Sequence, residues 1–195
     1  MQTEMQTVDQ NVTMADLHES GRYELLRELG FNDIMPFVTE YYWRRRTALT
    51  ILHVVLTVAF LGLWLATGLN NGIALDEWLT SWGSAFILFL TLPPVHEALH
   101  GLVYRLCGAT DVRYGILWRQ AAAYATAHHF VADARQFTWV AVTPFLVING
   151  ALLLGAAVLP DWRAPLLGAL FWHTTGTAGG FALLNYFRPP PDREM

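Results

Sequence analysis

Lysine is missing from this chain: all twelve basic residues are arginine. They do not gather into a basic face interleaved with stacking aromatics, which excludes a nucleic-acid-binding surface. Cysteine occurs once, at Cys107, so no intramolecular disulfide can form and the fold needs no oxidising compartment. The lone thiol reads as a small apolar filler. Charge is scarce at 14% of residues, well below the ~25% of ordinary soluble domains. Residues 1–20 are acidic and polar, without the basic start, apolar stretch or small-residue cleavage site of a secretory signal peptide. There is no internal repeat and no low-complexity tract.

What the chain has instead is apolar bulk. Hydrophobic residues make up 54% of 195, and the mean hydropathy is +0.32. That composition fits one compact, all-α integral membrane protein with short polar connections. Four apolar segments, at about 49–69, 83–106, 138–159 and 164–187, predict four transmembrane helices within a membrane domain at 49–187. Tyr41, Tyr42, Trp43, Trp78, Trp82, Trp139, Trp162 and Tyr186 flank these runs as interfacial belts. Residues 1–48 form an N-terminal tail, too polar over 1–13 to expect structure, with a short amphipathic helix over Ala15–Leu29. Glu19, Glu24 and Glu28 suit the solvated face of that helix. Residues 188–195 form the C-terminal tail. Eleven arginines lie before the first span, between the second and third, or after the fourth, whereas Arg163 stands alone on the other side. The positive-inside rule therefore predicts a multi-pass protein of the cell membrane with both termini cytoplasmic.

Inside the second segment, His96-Glu97-Ala98-Leu99-His100 spells H-E-x-x-H. Composition alone gives such a match in about 1% of chains like this one. On a helix, residues i and i+4 share a face, so two imidazoles can hold one Zn²⁺ with Glu97 beside a water. Two imidazoles and a carboxyl in a bilayer helix cost on the order of several kcal/mol unless they bind something. Nine residues separate His96 from the interface marker Arg105, putting the motif roughly 13 Å below the cytoplasmic surface. Pro93-Pro94 should start or kink the motif helix. The connection 108–137 contains two short extended or re-entrant pieces, at Tyr114–Trp118 and Ala121–Ala127, which either lie over the site or form a surface loop.

Zinc hydrolases use three protein ligands and keep a fourth position open for water or a scissile carbonyl, while a carboxylate moves the proton. His96 and His100 supply two ligands and Glu97 the base. The third is open. His173 shares a helix face with Gly176 and Gly180, a G-x-x-x-G seam that can lie against the motif helix, but counting from Arg188 sets it roughly 22 Å deep. Gly180, at roughly 12 Å, has no side chain; His53, at roughly 10 Å, matches by depth. Interhelical hydrogen bonding is the competing role for His173 and His53, and the expected one for Asn149. His128-His129 belong to the solvated connection.

The run Val95-His-Glu-Ala-Leu-His-Gly-Leu-Val-Tyr104, then Tyr124, Thr143-Pro144-Phe145 and His173-Thr-Thr-Gly-Thr-Ala-Gly-Gly180, resembles a family of small multi-pass putative zincin peptidases of unknown function. That family in turn looks like the site-2-protease type of intramembrane metalloprotease. The resemblance spans roughly residues 20–190, with H-E-x-x-H-G its specific core. It implies Zn²⁺ at His96 and His100, Glu97 as catalytic base, and membrane proteins or peptides in the lipid bilayer as substrates. Where the family pattern carries Gly-Asp, this chain has Gly179-Gly180. His173, taken as the metal ligand, or His53 would then substitute. The alternative is a catalytically degenerate relative acting as a binding or chaperone module for membrane proteins.

Overall fold

A computed structural model of the protein describes residues 28–30, 33–44, 47–70, 74–118 and 122–187. The amphipathic helix expected over Ala15–Leu29 lies outside them, except for Glu28 and Leu29, which are not helical. A short helix α1 (Ile34–Val38) runs into a π-helical turn, Thr39–Arg44. Then come α2 (Ala48–Asn70), α3 (Leu75–Leu106), strands β1 (Val112–Leu117) and β2 (Ala122–Ala127), and α4 (Ala134–Val158). A 3₁₀ turn (Pro160–Trp162) leads to α5 (Arg163–Gly176) and α6 (Ala178–Phe187).

Helices α2, α3 and α4 are each long and apolar enough to cross a membrane. Their exposed faces are greasy: Ile51, Val55 and Val58 on α2, Ile87 and Leu90 on α3, Leu146 and Leu154 on α4. Apolar surface on that scale is costly in water and at home among lipid tails. The 32-residue α3 starts at Leu75, eight residues before its apolar run, and is about 48 Å long. Pro93-Pro94 neither start nor break it. They remove two helical donors and leave the Phe89 and Leu90 carbonyls without their usual partners. The rest of the ladder persists because lipid offers the backbone no substitute for it. Helix α4 begins at Ala134, four residues before the apolar run, because Asp133 and Gln136 form a reciprocal capping box: Asp133 Oδ1 accepts from the Gln136 N–H (2.7 Å) and Gln136 Oε1 from the Asp133 N–H (3.1 Å).

Two expectations need correction. The protein is not all-α: the connection between α3 and α4 is an antiparallel hairpin, paired from Val112↔Ala127 to Leu117↔Ala122. Nor is the fourth apolar segment one spanning helix. It breaks at Thr177, whose N–H and hydroxyl both turn back to the Thr174 carbonyl (3.1 and 2.7 Å) and close a tight turn. The halves, of 14 and 10 residues, are each too short to cross alone. At the break Thr174 and Thr177 are buried, while Thr175 and Gly176 are exposed. Helix α5 is the inner element, packed on α2, α3 and α4. Gly168 lets it sit directly on Trp64 and Ala85, at the centre of a core with Ile148, Leu152, Leu167 and Leu170. The Gly176/Gly180 seam is divided by the break: Gly176 faces Phe89 of α3, and Gly180 the Ala141 carbonyl of α4.

Candidate metal centre

Helix α3 carries His96 and His100 one turn apart on its inner face. Their Nε2 atoms lie 3.1 Å from each other. From α5, His173 meets the other nitrogen of the His96 ring, its Nε2 3.0 Å from His96 Nδ1. Side-chain ligand atoms of His96, Glu97 and His100 all lie within 4.8 Å of one another. Among the described residues this is where imidazoles and a carboxylate converge.

Proton accounting shows what the cluster is suited to hold. His100 Nδ1–H donates to the Val140 carbonyl (2.8 Å), and His173 Nδ1–H donates to Asn149 Oδ1 (2.7 Å). In the neutral ring each residue then presents a bare Nε2 lone pair, and both lone pairs face His96. A neutral His96 has one N–H and two such neighbours. One of the two N···N contacts is therefore lone pair against lone pair, unless an extra proton or a cation enters. The two contacts use opposite nitrogens of His96, Nδ1 toward His173 and Nε2 toward His100. The 3.1 Å Nε2···Nε2 separation of His96 and His100 is close to the ~3.3 Å edge of a tetrahedron with ~2.0–2.1 Å metal–nitrogen bonds. Neutral imidazoles whose far N–H is held by an acceptor, as in His100 and His173, are donors that zinc takes, and the Glu97 carboxylate lies within reach of the His96–His100 pair. The residues fit the metal.

Glu97 follows His96 by one residue, about 100° around the helix, so it stands beside the imidazole face rather than on it. Its carboxylate lies beside the backbone N–H of Ala125 of β2. Even-numbered β2 residues pair inward, as the His128 N–H to Asp111 carbonyl bond (2.8 Å) indicates, so the Ala125 N–H belongs to the outer edge of the hairpin. The hairpin is seated by Tyr114, whose ring occupies the space a Cβ at Gly101 would need. The glycine after the motif is thus a docking notch for β1. Tyr104, two turns along α3, is also beside Glu97 and packs edge-on to Phe130.

Of the two expected alternatives for a third imidazole, the structure brings His173 and not His53 to the motif. The depth count took the segment as one straight helix at 1.5 Å per residue, whereas it is interrupted at Thr177. His53 is 1% exposed and fully engaged elsewhere. Its Nδ1 accepts from the Tyr42 hydroxyl (2.5 Å), and its Nε2–H donates to the Thr174 carbonyl (2.8 Å), with Thr177 Oγ1 at 3.1 Å. Burial raises the Tyr42 phenol above its ordinary pKa, so it remains a donor. His53 is a brace across the helix break. His128 and His129 form the turn after β2, His129 at φ 54°, with rings 5.6 Å apart. Sequence reasoning missed the Ala125 contact, which no side chain announces, and the Tyr42–His53 pair, whose partners belong to different periodic segments.

A family model described as putative zincin peptidase, a family of unknown function, matches residues 89–193. No curated protein and no solved structure matches the chain.

Proposed function

The chain belongs to the putative zincin peptidase family, and from that premise we propose that it is a zinc-dependent endopeptidase cleaving peptide bonds of membrane-spanning substrates. One observation carries the reading: His96, Glu97 and His100 converge, His173 meets the other nitrogen of His96, and acceptors on the far sides of His100 and His173 turn their Nε2 lone pairs toward His96. The match over 89–193 includes all three imidazoles, Glu97 and the hairpin, and excludes His53. His96, His100 and His173 hold the metal, and Gly180 needs no carboxylate. Zinc, when bound, supplies a Lewis acid that acidifies water and polarises a carbonyl. Glu97 takes the proton from the attacking water and delivers it to the leaving amine. The Ala125 N–H orients that carboxylate, and the hairpin screens it from bulk solvent. With nine arginines before α2 or from the last turn of α3 to the first of α4, the N-terminus and the hairpin face the cytoplasm of a cell membrane, and water enters from there.

The test is zinc stoichiometry and peptide-bond cleavage in detergent-purified protein. Wild type should carry about one zinc per chain, lost in His100→Ala and His173→Ala. Glu97→Gln should keep the zinc and lose cleavage by roughly 10²–10⁴-fold. Cleavage undiminished by Glu97→Gln would refute the mechanism. A cellular function that survives this substitution would favour a binding or chaperone role instead.

A further inference from the structure

Every polar atom of the Asn149 amide that the site needs is committed. Asn149 is buried in α4, 4% exposed, beside the similarly buried His173 and Thr174. Its Oδ1 accepts from His173 Nδ1–H at 2.7 Å, and its Nδ2–H donates to Thr174 Oγ1 at 3.0 Å. The amide therefore grips two consecutive residues of α5 with opposite ends, which fixes which end faces which. An amide turned over would set an N–H against His173, move the ring proton to Nε2 and aim it at His96. Thr174 is itself anchored, because its carbonyl accepts from His53 Nε2–H at 2.8 Å as well as from the Thr177 N–H and hydroxyl. His53 in turn accepts from the Tyr42 hydroxyl at 2.5 Å. A chain of buried hydrogen bonds thus runs from the π-helical turn through α2, α5 and α4 to the third imidazole.

We propose that Asn149 is a positioning residue of the metal centre: it holds His173 in the Nδ1–H tautomer and turns its Nε2 lone pair toward His96. The reasoning is electronic as well as steric. An imidazole can give a metal one nitrogen only if the proton is kept on the other, and a partner on that far side sets both the tautomer and the ring plane. Val140 does this for His100 with a backbone carbonyl; for His173 the partner is a side chain, and so it can be mutated. The inference rests on His173 being a ligand, as proposed above.

The experiment uses the full-length protein in detergent, with Zn²⁺ alone competed against a chelator and Co²⁺ as a spectroscopic substitute. Asn149→Leu keeps the volume and removes the acceptor. It should weaken zinc about 10–100-fold and alter the visible Co²⁺ spectrum. Asn149→Asp restores an acceptor to His173, and the Thr174 hydroxyl can reverse to donate to it. It should bind zinc within a few-fold of wild type. If Asn149→Leu keeps wild-type affinity and spectrum while His173→Ala loses zinc, the ligand assignment stands and the role of Asn149 is overturned. If Asn149→Leu and Asn149→Asp weaken zinc alike, the residue is needed for packing and the proposal fails. Unchanged zinc in His173→Ala overturns both.

Discussion

The hairpin that carries Ala125 to Glu97 is seated by a ring over a missing side chain, and one methyl group tests that geometry. Gly101→Ala places a Cβ where the Tyr114 ring and hydroxyl lie. Two responses are open to the molecule. The ring can leave, or the hairpin and helix can separate. Tyr114 is 50% exposed, so its seated half buries on the order of 100 Å². At ~25 cal/mol per Å², losing that contact costs at most about 2.5 kcal/mol. Forced overpacking costs about 1–3 kcal/mol, so both routes give the same range. That range is roughly a 5- to 150-fold rise in hairpin opening, readable as faster amide exchange over residues 112–127 in detergent. The companion variant is Tyr114→Ala, which removes the obstacle. In the double variant the added methyl meets no ring, so exchange should match Tyr114→Ala alone to within about 0.5 kcal/mol. Strict additivity of the two changes would refute the notch-and-ring account.

Replacing His53 by Phe should destabilise the protein by about 1–3 kcal/mol, since it leaves the buried Tyr42 hydroxyl unpaired. It should leave zinc stoichiometry unchanged, as thermal unfolding and metal analysis would check; zinc loss would return His53 to the list of ligands. Gly168→Ala drives a methyl into Trp64 and Ala85 and should cost about 1–3 kcal/mol or more in thermal unfolding, because both neighbours are immobile core. Chelation should abolish cleavage and lower the unfolding temperature, with both restored by zinc. At a hundredfold excess over Kd, the metal contributes about 2.7 kcal/mol. A melting curve indifferent to chelator would argue against a metal bound by the folded state.

The parts of this protein that were legible beforehand are those governed by short stretches of chain. The three long helices follow from the cost of transferring runs of about twenty residues into lipid. The pairing of His96 with His100 follows from four residues of helical spacing. The connection reads only as two short extended or re-entrant pieces, at Tyr114–Trp118 and Ala121–Ala127; that they pair as strands, at Val112–Leu117 and Ala122–Ala127, is tertiary information. Local capping shifted boundaries without changing elements: Asp133 and Gln136 extend α4 by a turn. Tertiary structure alone also decided the choice between His53 and His173. Both are lone imidazoles in apolar segments, with the same side-chain chemistry. The contact that selects His173 joins residues 77 apart, and the one that occupies His53 joins residues 121 apart. The His53 contact uses the Thr174 carbonyl beside the break at Thr177. Residue type and period state what a side chain can do; only the packing of α5 between α2, α3 and α4 determines which lone pair meets His96.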